Sequence, residues 1–204
     1  LCVLSCKFCD FAAKAGDDHA YEMGMDEILA HATPDIDEIH IVGGLHPKWK
    51  FPDYVEIVRA LHEKEPGVPI KAWTAVEIDW FTRISKKSLT EVFAELKDAG
   101  MVAMPGGGAE VFSERIRREL YPNKMGHERW FEIHRRAHEL GIRSNCTLLY
   151  GHVETLEERV DHMLQVRELQ DETGGFYSFI PLEYQLGTTM LVDRAPSEIG
   201  RAHV

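Results

Sequence analysis

Short apolar runs alternate along this chain with longer segments whose apolar residues recur every three or four positions. Residues 37–42 (DEIHIV) are rich in Ile and Val and stop at Gly43-Gly44, which predicts a strand. Over residues 51–65, Tyr54, Val55, Val58, Leu61 and His62 share one face of a helix. Residues 69–78 (PIKAWTAVEI) read as the next strand. Ser88 with Glu91 three positions on forms a capping box, and the helix it opens carries the stripe Leu89, Val92, Phe93 and Leu96 and ends at Gly100. Residues 101–104 are a short strand broken by Pro105 and three glycines. Helical stretches follow over 113–120 and 128–140, then a strand over 143–150 (RSNCTLLY). Thr155 and Glu158 make a second capping box, opening a helix to about residue 172, and 176–182 (FYSFIPL) is the last strand.

Strand and helix alternate throughout, and no shift in composition marks a linker. That pattern specifies an α/β chain with a parallel sheet, either doubly wound or a (β/α) barrel. The loops decide between them. The unusual residues fall after strands, at 43–47 (GGLHP), Glu77, 105–110 (PGGGAE), 151–154 (GHVE) and 181–185, and a barrel gathers its chemistry on that rim. A doubly wound sheet would concentrate its signal in the first turn, yet no G-x-G-x-x-G follows a strand. A (β/α) TIM-type barrel is therefore expected, as one domain over residues 1–197.

The ends modify this picture. The chain opens at Leu1 with Cys2 next, so the strand preceding the cysteines is expected to lie outside the sequence, as is the C-terminal part of the barrel. Residues 198–204 (EIGRAHV) can be encoded by GAG ATC GGA AGA GCA CAC GTC, which matches a common sequencing adapter, and are expected to be non-native.

With 23 Lys and Arg against 34 Asp and Glu, the net charge is −11. Nucleic acid and anionic lipid both need clustered positive charge, so neither is an expected partner. No apolar stretch approaches the roughly 18 residues of a membrane span. The expected compartment is the cytoplasm.

Three of the four cysteines, Cys2, Cys6 and Cys9, form C-x3-C-x2-C. Three thiolates at this spacing can hold three irons of a cubane and leave the fourth open for a ligand. The alternative is a structural zinc site completed by His19, although zinc more often uses paired C-x2-C knuckles. Cys146 is a further possible ligand, but its mid-strand position suits a small buried residue.

With Phe8 before the last cysteine, C-x3-C-x2-C resembles the signature of radical S-adenosylmethionine enzymes. The resemblance implies a 4Fe-4S cluster whose open iron chelates S-adenosylmethionine, and it implies the same barrel. VGGLHP (42–47), KAWTAVEID (71–79), MPGGGAE (104–110), LYGHVE (149–154) and QDETGGF…FIPL (170–182) are similar to the aminofutalosine synthase family of the futalosine route to menaquinone. Related cyclases acting on dehypoxanthine futalosine, and a deazaflavin cofactor synthase subunit, share the cysteines and the GGLHP and PGGGAE-type loops. The synthase resemblance implies addition of a 5′-deoxyadenosyl radical to 3-(1-carboxyvinyloxy)benzoate, with rearrangement and loss of a carboxyl group. S-adenosylmethionine would be consumed as co-substrate, and a reductant such as flavodoxin or ferredoxin would be the partner.

Residue roles follow from the same resemblance. Phe8 belongs to the cluster loop. Gly43 and Gly44 admit backbone close to the methionine end of S-adenosylmethionine or simply form a tight turn. Glu77 and Glu110, as carboxylates at strand ends, suit a ribose hydroxyl pair or the methionine ammonium, or else rim salt bridges. Gly151, with Glu154, lies near the adenine, or Glu154 favours the next helix N-terminus. The substrate's carboxylates need cationic or donor partners, and His46 and His152 are the candidates, against a structural role for each. Trp73, Trp80 and Phe81 are expected to pack.

Overall fold

A computed structural model describes residues 1–185, 189 and 191; the boundary expected at 197 and the heptapeptide 198–204 lie outside them. Along the described chain run α1 (Met25–Ala30), β1 (Ile39–Ile41), α2 (Phe51–Lys64), β2 (Ile70–Ala72), α3 (Ala75–Ser85), α4 (Leu89–Asp98), β3 (Met101–Met104), α5 (Glu114–Leu120), α6 (His127–Glu139), β4 (Arg143–Tyr150), α7 (Leu156–Thr173) and β5 (Phe176–Glu183). The capping boxes act as their spacing requires. Glu91 accepts the Ser88 backbone N–H at 2.8 Å while Ser88 Oγ accepts that of Glu91 at 3.3 Å, and Thr155 and Glu158 repeat the exchange at α7.

The strands form one sheet in the order β1-β2-β3-β4-β5, every neighbouring pair parallel. Strands laid down in chain order, each reached through helices, build the wall of a barrel; a doubly wound sheet reverses its order partway. One face carries Ile70, Ala72, Met101, Met104, Cys146 and Phe176 into a core with the helices, among them Val58, Phe81, Phe93, Leu96, Trp130 and Ile133. The opposite face mixes polar groups with the exposed apolar side chains of Ile180 and Leu182. Lys71 pairs with Glu38 at 2.6 Å, Asn145 Nδ2 donates to Ser178 Oγ at 2.6 Å, and Tyr177 Oη donates to Asn145 Oδ1 at 2.9 Å. The Lys71 ammonium stands 5.7 Å from the Tyr177 ring although two strands separate β2 from β5, so side chains meet across this face as on the inside of a barrel.

Two expectations are corrected. Residues 69–78 are not one strand: β2 stops at Ala72, Trp73 turns the chain at φ 64°, and α3 begins at Ala75. The cause is a third capping box, Thr74 with Glu77, hidden inside a β-rich run. Glu77 therefore sits in the first turn of a helix and not at a strand end. The loop expected from Pro181 begins later, since β5 continues to Glu183. Helix α1 has no fully buried residue and no apolar stripe strong enough to announce it. Trp73 and Phe81 are core residues, as expected, and Trp80 is partly buried against them.

Candidate functional site

The cysteine loop is closed on itself before anything packs on it. Cys2 N–H donates to the Ala13 carbonyl at 2.9 Å, and Lys14 Nζ donates to the carbonyls of Cys2 and Leu4 at 2.8 and 2.6 Å. Val3 N–H donates to the Leu45 carbonyl at 2.9 Å, tying the loop to the segment after β1. Gly44 makes that approach possible, because a Cβ there would overlap the Leu1 carbonyl and Cys2 Cβ. On its other side Lys7 N–H donates to the Leu120 carbonyl at 2.9 Å, at the end of α5.

Cys2, Cys6 and Cys9 are free thiols, each partly exposed. Burial pushes the Cys6 thiol up to about 11 and raises Cys9 as well, and the other cysteines add to both effects. Among the described residues no three His, Cys, Asp or Glu side chains converge where a single ion would sit. In a cubane each of the three thiolates takes a different iron. The donor set fits the cluster. His19 faces the Ala12 carbonyl at 3.4 Å, and Cys146 is buried in the core across the sheet, its thiol pushed up to about 12 by burial.

The other candidate residues sit on α3 and on the loops after β1, β3 and β4. Gly43 N–H donates to Glu77 Oε1 at 2.8 Å, while Glu77 Oε2 accepts the Thr74 amide at 2.7 Å and hydroxyl at 2.8 Å. Glu77 is 1% exposed, and burial raises it to about 7 despite those three donors. Its carboxylate thus holds the Gly43 turn. Glu110 takes a left-handed φ of 51° and pairs with the buried Lys124. The Gly106–Gly108 turn lies on β4, where Thr147 Oγ1 donates to the Gly106 carbonyl at 2.9 Å. Gly151, at φ 89°, donates its N–H to Glu154 at 2.6 Å; Glu154 also accepts the His152 N–H at 2.9 Å and Arg159 Nε at 2.7 Å.

Both candidate histidines are engaged within the protein. His46 Nδ1 accepts the Lys48 and Trp49 N–H groups at 3.2 and 3.1 Å, and its Nε2 is paired with Glu22. His152 is fully buried; Nδ1 accepts the Val153 N–H at 2.8 Å and Nε2 donates to the Leu149 carbonyl at 3.1 Å. Burial holds its pKa below the ordinary histidine value. Sequence reasoning passed over Lys14, Glu22 and Lys124. No motif marks the first two, and Lys124 lies in an irregular connector between α5 and α6.

Residues 1–166 match the Radical SAM superfamily. The chain is 52% identical over 189 residues to "Aminodeoxyfutalosine synthase" of Thermus thermophilus, covering 91% of the chain and 51% of that protein. It is 44% identical to the protein of that name from Streptomyces coelicolor, covering 91% of the chain and 49% of that protein. A "5-amino-6-(D-ribitylamino)uracil--L-tyrosine 4-hydroxyphenyl transferase" of Methanopyrus kandleri is 35% identical, with 90% and 51% covered. The chain spans about half the length of these curated relatives. Among solved structures, methylornithine synthase (PylB) superposes with a TM-score of 0.77 at 15% identity, covering 98% of this chain and 56% of that one. That likeness concerns the fold.

Proposed function

The chain belongs to the Radical SAM superfamily, and we propose that it carries the cluster-binding and S-adenosylmethionine-binding wall of an aminodeoxyfutalosine synthase. The observation that carries this reading is the similarity to two proteins of that name over nine-tenths of the chain. Cys2, Cys6 and Cys9 are the residues that would hold a 4Fe-4S cluster. When bound, the cluster supplies one electron to S-adenosylmethionine, and the resulting 5′-deoxyadenosyl group is joined to 3-(1-carboxyvinyloxy)benzoate with rearrangement and decarboxylation.

The residues of this chain have positioning tasks. Lys14 and Gly44 fix the cysteine loop against the segment after β1. Glu77 holds the Gly43 turn from below, and Gly43 and Gly44 leave room for the methionine end of the co-substrate. Glu110 and Gly151 stand on neighbouring rim loops, where Leu149 N–H donates to the Glu110 carbonyl at 3.0 Å, and they are proposed to line the nucleoside. A radical reaction of this kind asks the protein to bring reacting atoms within about 3–3.5 Å and to exclude water and hydrogen donors, not to supply a strong acid or base. His46 and His152, already hydrogen-bonded internally, would shape the rim. The partners are a small-molecule substrate and a one-electron reductant such as flavodoxin or ferredoxin, and the compartment is the cytoplasm.

The test is turnover by the full-length protein, reconstituted anaerobically and given S-adenosylmethionine, dithionite and 3-(1-carboxyvinyloxy)benzoate. Mass spectrometry should find 6-amino-6-deoxyfutalosine and methionine. Conversion of dehypoxanthine futalosine, or of tyrosine with 5-amino-6-(D-ribitylamino)uracil, with the carboxyvinyl ether untouched would contradict the proposal.

A further inference from the structure

Lys124 is a charged residue where a charged residue is costly. Its side chain is 6% exposed in the connector between α5 and α6, and its carboxylate partner Glu110 is 15% exposed. The ammonium lies 5.5 Å from the Phe8 ring centre and 5.2 Å from that of Tyr121, and those rings meet edge to face at 5.7 Å. Tyr121 is itself fixed, its hydroxyl donating to the Val111 carbonyl at 3.0 Å. Phe8 and Cys6 pack on Ile116, Leu120 and Tyr121, so the ammonium stands behind the stretch that joins the second and third cysteines.

A buried ion pair is seldom worth its desolvation as a stabiliser, and an apolar pair of similar volume would serve packing alone as well. Hydrogen bonds and charges just outside the ligands are, in contrast, what set the potential of an iron–sulfur centre. We propose that Lys124, held between Phe8 and Tyr121, is a positioning residue of the cysteine loop that neutralises the Glu110 carboxylate, so that the cluster held by Cys2, Cys6 and Cys9 does not face an uncompensated anion and its reduction potential stays higher. Reduction adds negative charge to the cluster, and an unpaired carboxylate in a partly desolvated wall would disfavour that state. The inference rests on the cluster reading of the three thiols.

The experiment uses the full-length protein reconstituted anaerobically with iron and sulfide, with Lys124→Met, Lys124→Gln and Lys124→Arg beside it. Iron per chain, circular dichroism and an EPR-monitored redox titration are read for each. Both neutral variants should keep the fold and bind iron but titrate at a more negative midpoint potential, and Lys124→Arg should return most of the shift. Wild-type potentials in both neutral variants would overturn the inference. So would unfolding of both, because the charge would then serve the fold and not the loop. A wild-type protein that takes up no cluster would instead overturn the cluster reading itself.

Discussion

His46 illustrates how the surroundings of a residue bear on the role that its type invites. A histidine in a rim loop is a natural partner for a carboxylate, yet both ring nitrogens are already used, one by two backbone N–H groups and one by Glu22. His46→Ala would remove the acceptor of those two N–H groups in a part-buried turn. Chemical denaturation should show a loss of about 1–3 kcal/mol. Glu77 gives a second residue-scale prediction. Its folded pKa is about 7 against an ordinary 4.5, so between those values the unfolded chain releases a proton that the folded chain keeps. Stability from this group is highest below pH 4.5 and falls as pH rises to about 7. Glu77→Gln removes the titration. The variant's stability relative to wild type should therefore climb by up to about 3 kcal/mol across that window and stay level outside it, as followed by urea unfolding at several pH values. A difference independent of pH would show that burial does not perturb this carboxyl.

At the scale of elements, most of the alternation was legible because local signals agreed with the fold. The stripes of α2 and α4, the capping boxes at Ser88 and Thr155, and the β-branched run of β1 all point the same way. The segment 69–78 was misread because two signals overlap there. Its Ile, Val, Trp and Thr favour a strand, while Thr74-x-x-Glu77 starts a helix, and the turn at Trp73 needs a left-handed backbone that Trp does not advertise. Helix α1 was missed for the opposite reason, having no buried residue to impose a pattern. The C-x3-C-x2-C spacing stands out in the sequence by itself. Lys124 does not, since its neighbours Glu110 and Phe8 lie 14 and 116 positions away in sequence, and no periodicity links them. The glycine run 106–108 gives the element-scale prediction. A Cβ on Gly106 would lie 2.6 Å from the Asn145 carbonyl and Cys146 Cα, both backbone of β4. Gly106→Ala must shift a strand, and should cost about 1–3 kcal/mol or more in a thermal or urea transition. An unchanged transition would mean that the turn does not rest on β4.

For the whole molecule, five parallel strands in chain order set the cysteine loop, the Gly43-Gly44 turn, the Glu110 loop and the Gly151 loop on one rim. Barrel topology places those segments on one rim whatever their separation in sequence. The inner face carries Lys71, Asn145 and Tyr177 beside exposed Ile180 and Leu182, where an ordinary barrel core has apolar layers throughout. No helix among the described residues is long and apolar enough to cross a membrane.

The proposed cluster ligation by Cys2, Cys6 and Cys9 is read from metal content and colour. The full-length protein is reconstituted anaerobically with iron and sulfide, and its metal content and visible spectrum are read before and after dithionite. A brown protein holding about four irons and four sulfides per site is expected, bleached on reduction, with the colour lost when any of the three cysteines is replaced by alanine. A colourless protein that retains stoichiometric zinc through the same treatment would contradict it.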